Sequence, residues 1–468
     1  MEDSGVDQLC EELRSENCKL EKLNLSDCVL TSRCCSALSS ALSAPHSRLT
    51  ELDLSGNNME DSGLDQLCEG LWSENCKLEK LNLSHCGLTS TCCSALSSAL
   101  SAPHSRLTEL YLSGDNMDDS GVDQLCEGLW SENCKLEKLN LSHCGLTSRC
   151  CSALSSALSA PHSRLTELDL NKNHMGDSGV DQLCEGLWSE NCKLEKLYLS
   201  HCGLTSRCCS ALSSALSAPH SRLTELNLSN NTLGDSGVNQ LYEGLWSENC
   251  KLEKLDLSRC GLTSRCCSAL SSALSAPDSR LTELNLSNNT LGDSGVNQLY
   301  EGLWSENCKL DKLDLSHCGL TSRCCSALSS ALSAPHSRLT ELNLSNNTLG
   351  DSGVNQLYDG LWSENCKLDK LDLRSCDLTS RCSSSLSSVL SSPHSQLTEL
   401  DLSDNKLGDS GARQLCEGLR TPNSKLKTLK LSGNELNESE KKNLRSLQKE
   451  LNRTGRQVDI KMWEDRTC

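Results

Sequence analysis

The chain has 468 residues, no Phe, 3% aromatic residues, 33 Cys and a formal net charge of −19. Such a field repels phosphate backbones and anionic lipid, which excludes nucleic acid and membrane surfaces as main partners and favours a cationic protein. No run of 18 apolar residues is present to span a bilayer, and Met1-Glu2-Asp3-Ser4-Gly5 has neither the basic nor the apolar part of a secretion signal. The cysteines are therefore expected as reduced thiols and the protein as cytoplasmic. Residues 425–468 carry an excess of four positive charges, which leaves the rest of the chain near −23.

Trp recurs at 72, 130, 188, 246, 304 and 362, and each unit of 58 residues divides into two halves of 29. In chain order, residues 1–19 match the helical part of such a half (59–76) and lack the strand before it. This predicts a truncated repeat and a chain that is a piece of a longer protein. Residues 20–436 hold the framed repeats, fifteen in register from Leu20 to Leu426.

Both kinds of half carry LxxLxLxx(C/N)xL. In the half that starts at Lys77 the frame is Leu78, Leu81, Leu83, Cys86 and Leu88; in the next it is Leu107, Leu110, Leu112, Asp115 and Met117. The ninth place holds Cys in one kind (the Cys half) and, Asp115 apart, Asn in the other (the Asn half), as in Asn57, Asn173, Asn231, Asn289, Asn347 and Asn405. Leu81 and Leu83 alternate, so both point to one face of a short strand. A helix follows. Val122, Leu125 and Leu129 share one helical face in the Asn half, with Asp119 and Ser120 as candidate N-caps. Cys93, Leu96 and Leu100 form the stripe of the Cys half, and Pro103 stops its helix.

Residues 437–468 predict a capping helix with the stripe Leu444, Leu447 and Leu451. A degenerate strand at Val458 and Ile460 then closes the array as a true end.

This is a leucine-rich-repeat pattern of the long, helix-containing kind. Strands pack about 4.8 Å apart and helices about 8–10 Å, so the expected fold class is an α/β curved solenoid, a horseshoe with parallel strands on the concave face and helices on the convex face. Alternating halves with Cys and Asn at the ninth place resemble ribonuclease inhibitor. They also resemble the C-terminal repeats of NOD-like receptors, the NACHT-containing intracellular immune sensors, and the LSHCGLTSRCCSALSSALSAPHS and LGDSGVNQLYEGLWSENC halves look most like the large fish expansion of that group. The resemblance implies a ligand-sensing or autoinhibitory repeat region; the alternative it implies is an inhibitor of a cationic enzyme. No GxxxxGK[ST] occurs in the chain, so nucleotide hydrolysis would belong to another segment.

Nothing in the pattern reads as an enzyme, and no cofactor is expected. His85-Cys86 with Cys92-Cys93 recurs and invites a zinc reading, but the frame sends Cys86 inward and His85 outward, and Asp27 and Arg259 replace the His in equivalent repeats. A cysteine nucleophile needs a base in an enclosed pocket, which an open wall does not provide. Each Trp of the 58-residue series is expected to pack between successive repeats. Function is expected on the concave wall, at the outward fifth and eighth places, where a protein partner would meet Tyr111, Tyr198, Lys172, His85, His143, His201, Arg259 and His317, with Trp463 near the end. His174 is expected at the strand's exit. Three Asn halves, from Leu223, Leu281 and Leu339, are identical through the helix, so that stretch is recent duplication and not tuning.

Overall fold

The alternating Leu pairs do what the spacing predicts: Leu81, Leu83, Leu197 and Leu199 are fully buried, the first of each pair in a three-residue strand and the second just past its end. The computed structural model describes residues 2–462, and these form two compact units. The first runs to Asn231 and includes Asn249–Lys251; the second takes Thr232–Glu248 and everything from Leu252.

In the first unit the strands are β1 Lys22–Asn24, β2 Glu51–Asp53, β3 Lys80–Asn82, β4 Glu109–Tyr111, β5 Lys138–Asn140, β6 Glu167–Asp169, β7 Lys196–Tyr198 and β8 Glu225–Asn227. Each pairs in parallel with the next, in a register that sets like frame positions side by side, as in Leu81 against Leu110 and Leu110 against Leu139. The second unit repeats the arrangement with β9 Lys254–Asp256, β10 Glu283–Asn285, β11 Lys312–Asp314, β12 Glu341–Asn343, β13 Lys370–Asp372, β14 Glu399–Asp401, β15 Thr428–Lys430 and β16 Asp459–Lys461. In that unit Leu284 lies against Leu313 and Leu429 against Ile460. Each unit is thus an α/β solenoid, with parallel strands on one side and helices on the other.

The two halves build their helices differently. An Asn half has a long α-helix such as Asp118–Leu129, with Val122, Leu125 and Leu129 buried. A Cys half enters through a short 3-10 turn, Ser148–Cys150, before the helix Cys151–Ser159. That helix stops at Ala160, whose extended backbone is the conformation the following Pro161 imposes. The array finishes on the helix Glu438–Arg453, which buries Leu444, Leu447 and Leu451, and on β16 beside it, where Val458 and Ile460 are buried.

The ninth-place residue binds neighbouring repeats together. Asn173 donates from Nδ2 to the carbonyls of Leu141 and Leu170, and its Oδ1 accepts from the backbone N–H of Cys144 and Leu146. Cys86 fills the same slot with less: its thiol donates to the Leu54 carbonyl at 3.2 Å.

Two expectations are corrected. Asp119 does not cap the helix Asp118–Leu129; its carboxylate accepts from the backbone N–H and hydroxyl of Thr147 in the next repeat, and Asp118 takes the first-turn bonds, from Ser120 and Gly121. The Trp rings from 72 to 362 are 38–50% exposed instead of packed between repeats, because each falls at or beside the helix C-cap, just past the last buried Leu. Most ninth-place cysteines are buried; Cys28 is half-buried, and among the described residues no strand before β1 offers it the carbonyl that Cys86 finds.

Candidate partner-binding face

The strand side presents three rows of outward residues, at the third, fifth and eighth places of the frame. At the third place Lys and Glu alternate from strand to strand, and the parallel register sets them side by side. In the first unit Lys22 pairs with Glu51 at 2.7 Å, Lys80 and Lys138 both reach Glu109, and Lys196 reaches Glu167. In the second, Lys312 lies between Glu283 and Glu341, and Lys370 also pairs with Glu341. Each pair is partly solvated and weak by itself, but the row neutralises its own charge. The alternation of KLEKL with RLTEL every 29 residues announces this ladder, and reading the strands one at a time misses it.

Above it lies the fifth-place row. Tyr111 stands between Asn82 and Asn140, and Tyr198 between Asp169 and Asn227. Both phenols are held by the charge ladder: Tyr111 donates to Glu109 at 2.8 Å and Tyr198 to Glu225 at 3.1 Å. The Lys80 ammonium also lies 5.2 Å from the centre of the Tyr111 ring, within cation–π range. Burial, with the neighbouring carboxylates, pushes both phenols above their usual range, so each remains a hydrogen-bond donor. The rings are half-buried and pre-oriented.

The eighth-place row has a backbone feature that Leu spacing does not reveal. His85, His143, Lys172 and His201 in the first unit, and Arg259 and His317 in the second, all have φ between 52° and 57°. The left-handed turn costs energy in an L residue, and the stacking holds it: His143, Lys172 and His201 donate their N–H groups to the carbonyls of Asn171, Ser200 and Ser229 in the next repeat. Side chains on this turn leave the frame and enter solvent, so all six are exposed. Their neighbours differ. The His85 ring lies over Gly114, where an added Cβ would come within 2.0 Å of the imidazole, and this glycine breaks the row. Beyond it, His143, Lys172 and His201 line one concavity with Ser200, Asn230 and His174. His174 does sit at the strand's exit, bridged to Thr147, and from there it completes the same concavity. Trp463 lies outside the described residues.

Beneath the face, the thiols are poorly suited to nucleophilic chemistry. Burial pushes Cys86, Cys144 and Cys202 up to about 12, whereas reactive cysteines need lowered values. His85 is exposed while Cys86 beside it is buried, so the two cannot converge on one ion. Among the described residues no group of three or more His, Cys, Asp or Glu is placed to hold a metal, and no helix is long and apolar enough to cross a membrane.

The leucine-rich-repeat family model matches residues 16–39, 47–68, 74–97, 132–155, 163–184, 190–213, 221–240, 248–271, 280–298, 306–329, 337–356 and 395–416, more than half of the chain. The protein belongs to the leucine-rich-repeat family. The repeat starting at Leu107, with Asp115 in the ninth place, is not among the matched segments. Among curated relatives, a rat NACHT, LRR and PYD domains-containing protein 1a is 61% identical over 49 residues, 10% of this chain and 4% of its own length. The human NACHT, LRR and PYD domains-containing protein 3 is 54% identical over 50 residues, 11% of this chain and 5% of its own. The chain thus spans about a twentieth of the length of the curated relatives it matches. Among solved structures, a leucine-rich-repeat protein of Leptospira interrogans aligns over 97% of this chain and 98% of its own, at 20% identity and a TM-score of 0.49. An internalin of Listeria monocytogenes aligns over 91% of this chain and 93% of its own, at 19% identity and a TM-score of 0.44.

Proposed function

We propose that this scaffold, of the kind used in protein binding, is the ligand-sensing or autoinhibitory repeat region of an intracellular NOD-like innate immune receptor. The observation that carries the reading is the strand side. A buried Leu frame hardly changes, while the fifth and eighth places above it vary, and the variants that depart from Asn, Asp and Ser gather in the first unit. Tyr111, Tyr198, Lys172, His85, His143 and His201 are the residues assigned to the partner there, with Arg259, His317 and Trp463 further along. The short matches to NACHT, LRR and PYD domains-containing proteins support the receptor assignment.

The alternative, an inhibitor of a cationic enzyme, rests on the net charge of −19. The third-place ladder adds nothing to it, because its Glu carboxylates are paired with Lys; the negative charge of the strand side lies in fifth-place aspartates such as Asp256 and Asp314.

Tyrosines already fixed by hydrogen bonds lose little freedom on binding and suit interface anchors. Replacing Tyr111 and Tyr198 by Ala should weaken a partner recovered by pull-down by about 1–2 kcal/mol each. The same change at Asn285 and Asn343 should do little. Equal effects at both pairs would refute a tuned face.

A further inference from the structure

We propose that the concavity of His143, Lys172, His174 and His201 binds an acidic segment of a protein partner through its carboxylates. This rests on the reading of the strand side as the partner face and names what one part of that face takes.

Three successive eighth places, in strands about 4.8 Å apart, bring two imidazoles and an ammonium into line. His174, whose N–H is fixed to the Leu146 carbonyl at 2.7 Å, adds a third imidazole from the side. Ser200 and Asn230 supply neutral polar groups, and no carboxylate lines the concavity.

The acids on the adjoining elements are already engaged. Asp169, the carboxylate on which Lys172 acts, accepts from Asn171 N–H at 2.9 Å and from Asn140 Nδ2 at 3.2 Å. Asp119 and Asp177 are bound to Thr147 and Thr205. Lys138 and Lys196 of the third row pair with Glu109 and Glu167, whereas Lys172 makes no ion pair among the described residues.

The Lys172 ammonium, without an ion pair among the described residues, and three imidazoles with ring N–H donors thus share a concavity that no carboxylate lines. A carboxylate placed among them would meet the Lys172 ammonium and accept from the imidazole N–H groups. Arg149 and Arg207 stand outside the lining, so the donors are point donors with no fork, and the −19 field of the chain repels a doubly charged phosphate more than a singly charged carboxylate.

The test uses the full chain and a fluorescein-labelled peptide of alternating Glu and Ser, with its Gln/Ser counterpart, followed by anisotropy. The Glu peptide should bind at least about tenfold tighter than the Gln peptide. Lys172→Gln with His174→Gln should weaken binding of the Glu peptide about tenfold, and Arg149→Gln less than about twofold. Equal binding of both peptides, indifference to the double substitution, or displacement by inorganic phosphate at matched ionic strength would overturn the assignment, the last in favour of a phosphate site. If the peptide fails while Tyr111→Ala still loses its recovered partner, the acidic-segment inference falls and the scaffold reading stands. Failure of both overturns both.

Discussion

A single oxygen sets Asp115 apart from the other residues of its row. Asn57, Asn173 and Asn231 each use the ninth-place amide in both senses, donating to two Leu carbonyls and accepting two backbone N–H bonds. Asp115 keeps the accepting side, from Cys86 and Leu88, but its Oδ2 is buried without a partner. Burial pushes the carboxyl up to about 6, from 3.8, because leaving water penalises the charged form more than the neutral acid. With the folded value raised, folding favours the protonated form. Its contribution is fully present below the unfolded value near 4 and is lost as pH rises through about 6, a difference of about 3 kcal/mol at neutral pH. Asp115→Asn should therefore stabilise the protein by about 2–3 kcal/mol at pH 7.5 and by much less at pH 4. Urea unfolding at the two pH values checks this. An equal gain at both would mean that protonation is not the cause.

Between elements, the recurring tie runs from an Asn-half helix to the Thr that opens the next 3-10 turn. Asp177 accepts from the Thr205 N–H at 2.8 Å and from its hydroxyl at 2.6 Å. Burial alone would raise this carboxyl, but the Thr205 bonds, with Cys208 and Arg207 beside them, together more than offset it, and the net shift is downward in Asp3, Asp177, Asp235, Asp293 and Asp351 alike. The sign is opposite to that of Asp115. Depressed folded values give stability that is present above the unfolded value near 4 and disappears as pH falls through the folded ones. Thermal melts should thus show the melting temperature falling steeply below about pH 4. Thr205→Val should cost about 1 kcal/mol at neutral pH and flatten that acid limb. An acid limb unchanged in the variant would assign it to other carboxylates.

Across the molecule, what was legible in the sequence is what a repeat of fixed length dictates. The Leu frame, the inward helical stripes, the closing helix and its strand follow from periodicity alone, since Leu78 or Leu125 has one buried direction. The left-handed turn under Lys172 was not legible, because its cost is met by a hydrogen bond to the next repeat and not by the residue's own propensity. Nor was the meeting of His174 with His143 and His201, which requires parallel stacking to fold three repeats' exits onto one patch. The Trp period marked where the rings sit but not which way a C-cap side chain faces.

The same stacking governs the thiols. Cys86, Cys144 and Cys202 in the first unit and Cys318 and Cys376 in the second are fully buried or nearly so, and burial pushes each up to about 12. At pH 8 the thiolate fraction of such a group is about one in ten thousand, and a reagent must also reach it through its layer. Opening one layer exposes the faces of its neighbours, so exposure should spread through the stack and not stay local. Cys18 and Cys28, both half-buried, should react with a thiol reagent within the first minutes. The ninth-place cysteines should become reactive together with the loss of helical circular dichroism in urea and not before it. Mass spectrometry of the labelled peptides separates the two groups. Steady labelling of Cys86, Cys144 and Cys202 under native conditions would show that single layers open alone, which the four hydrogen bonds of each ninth-place Asn should prevent.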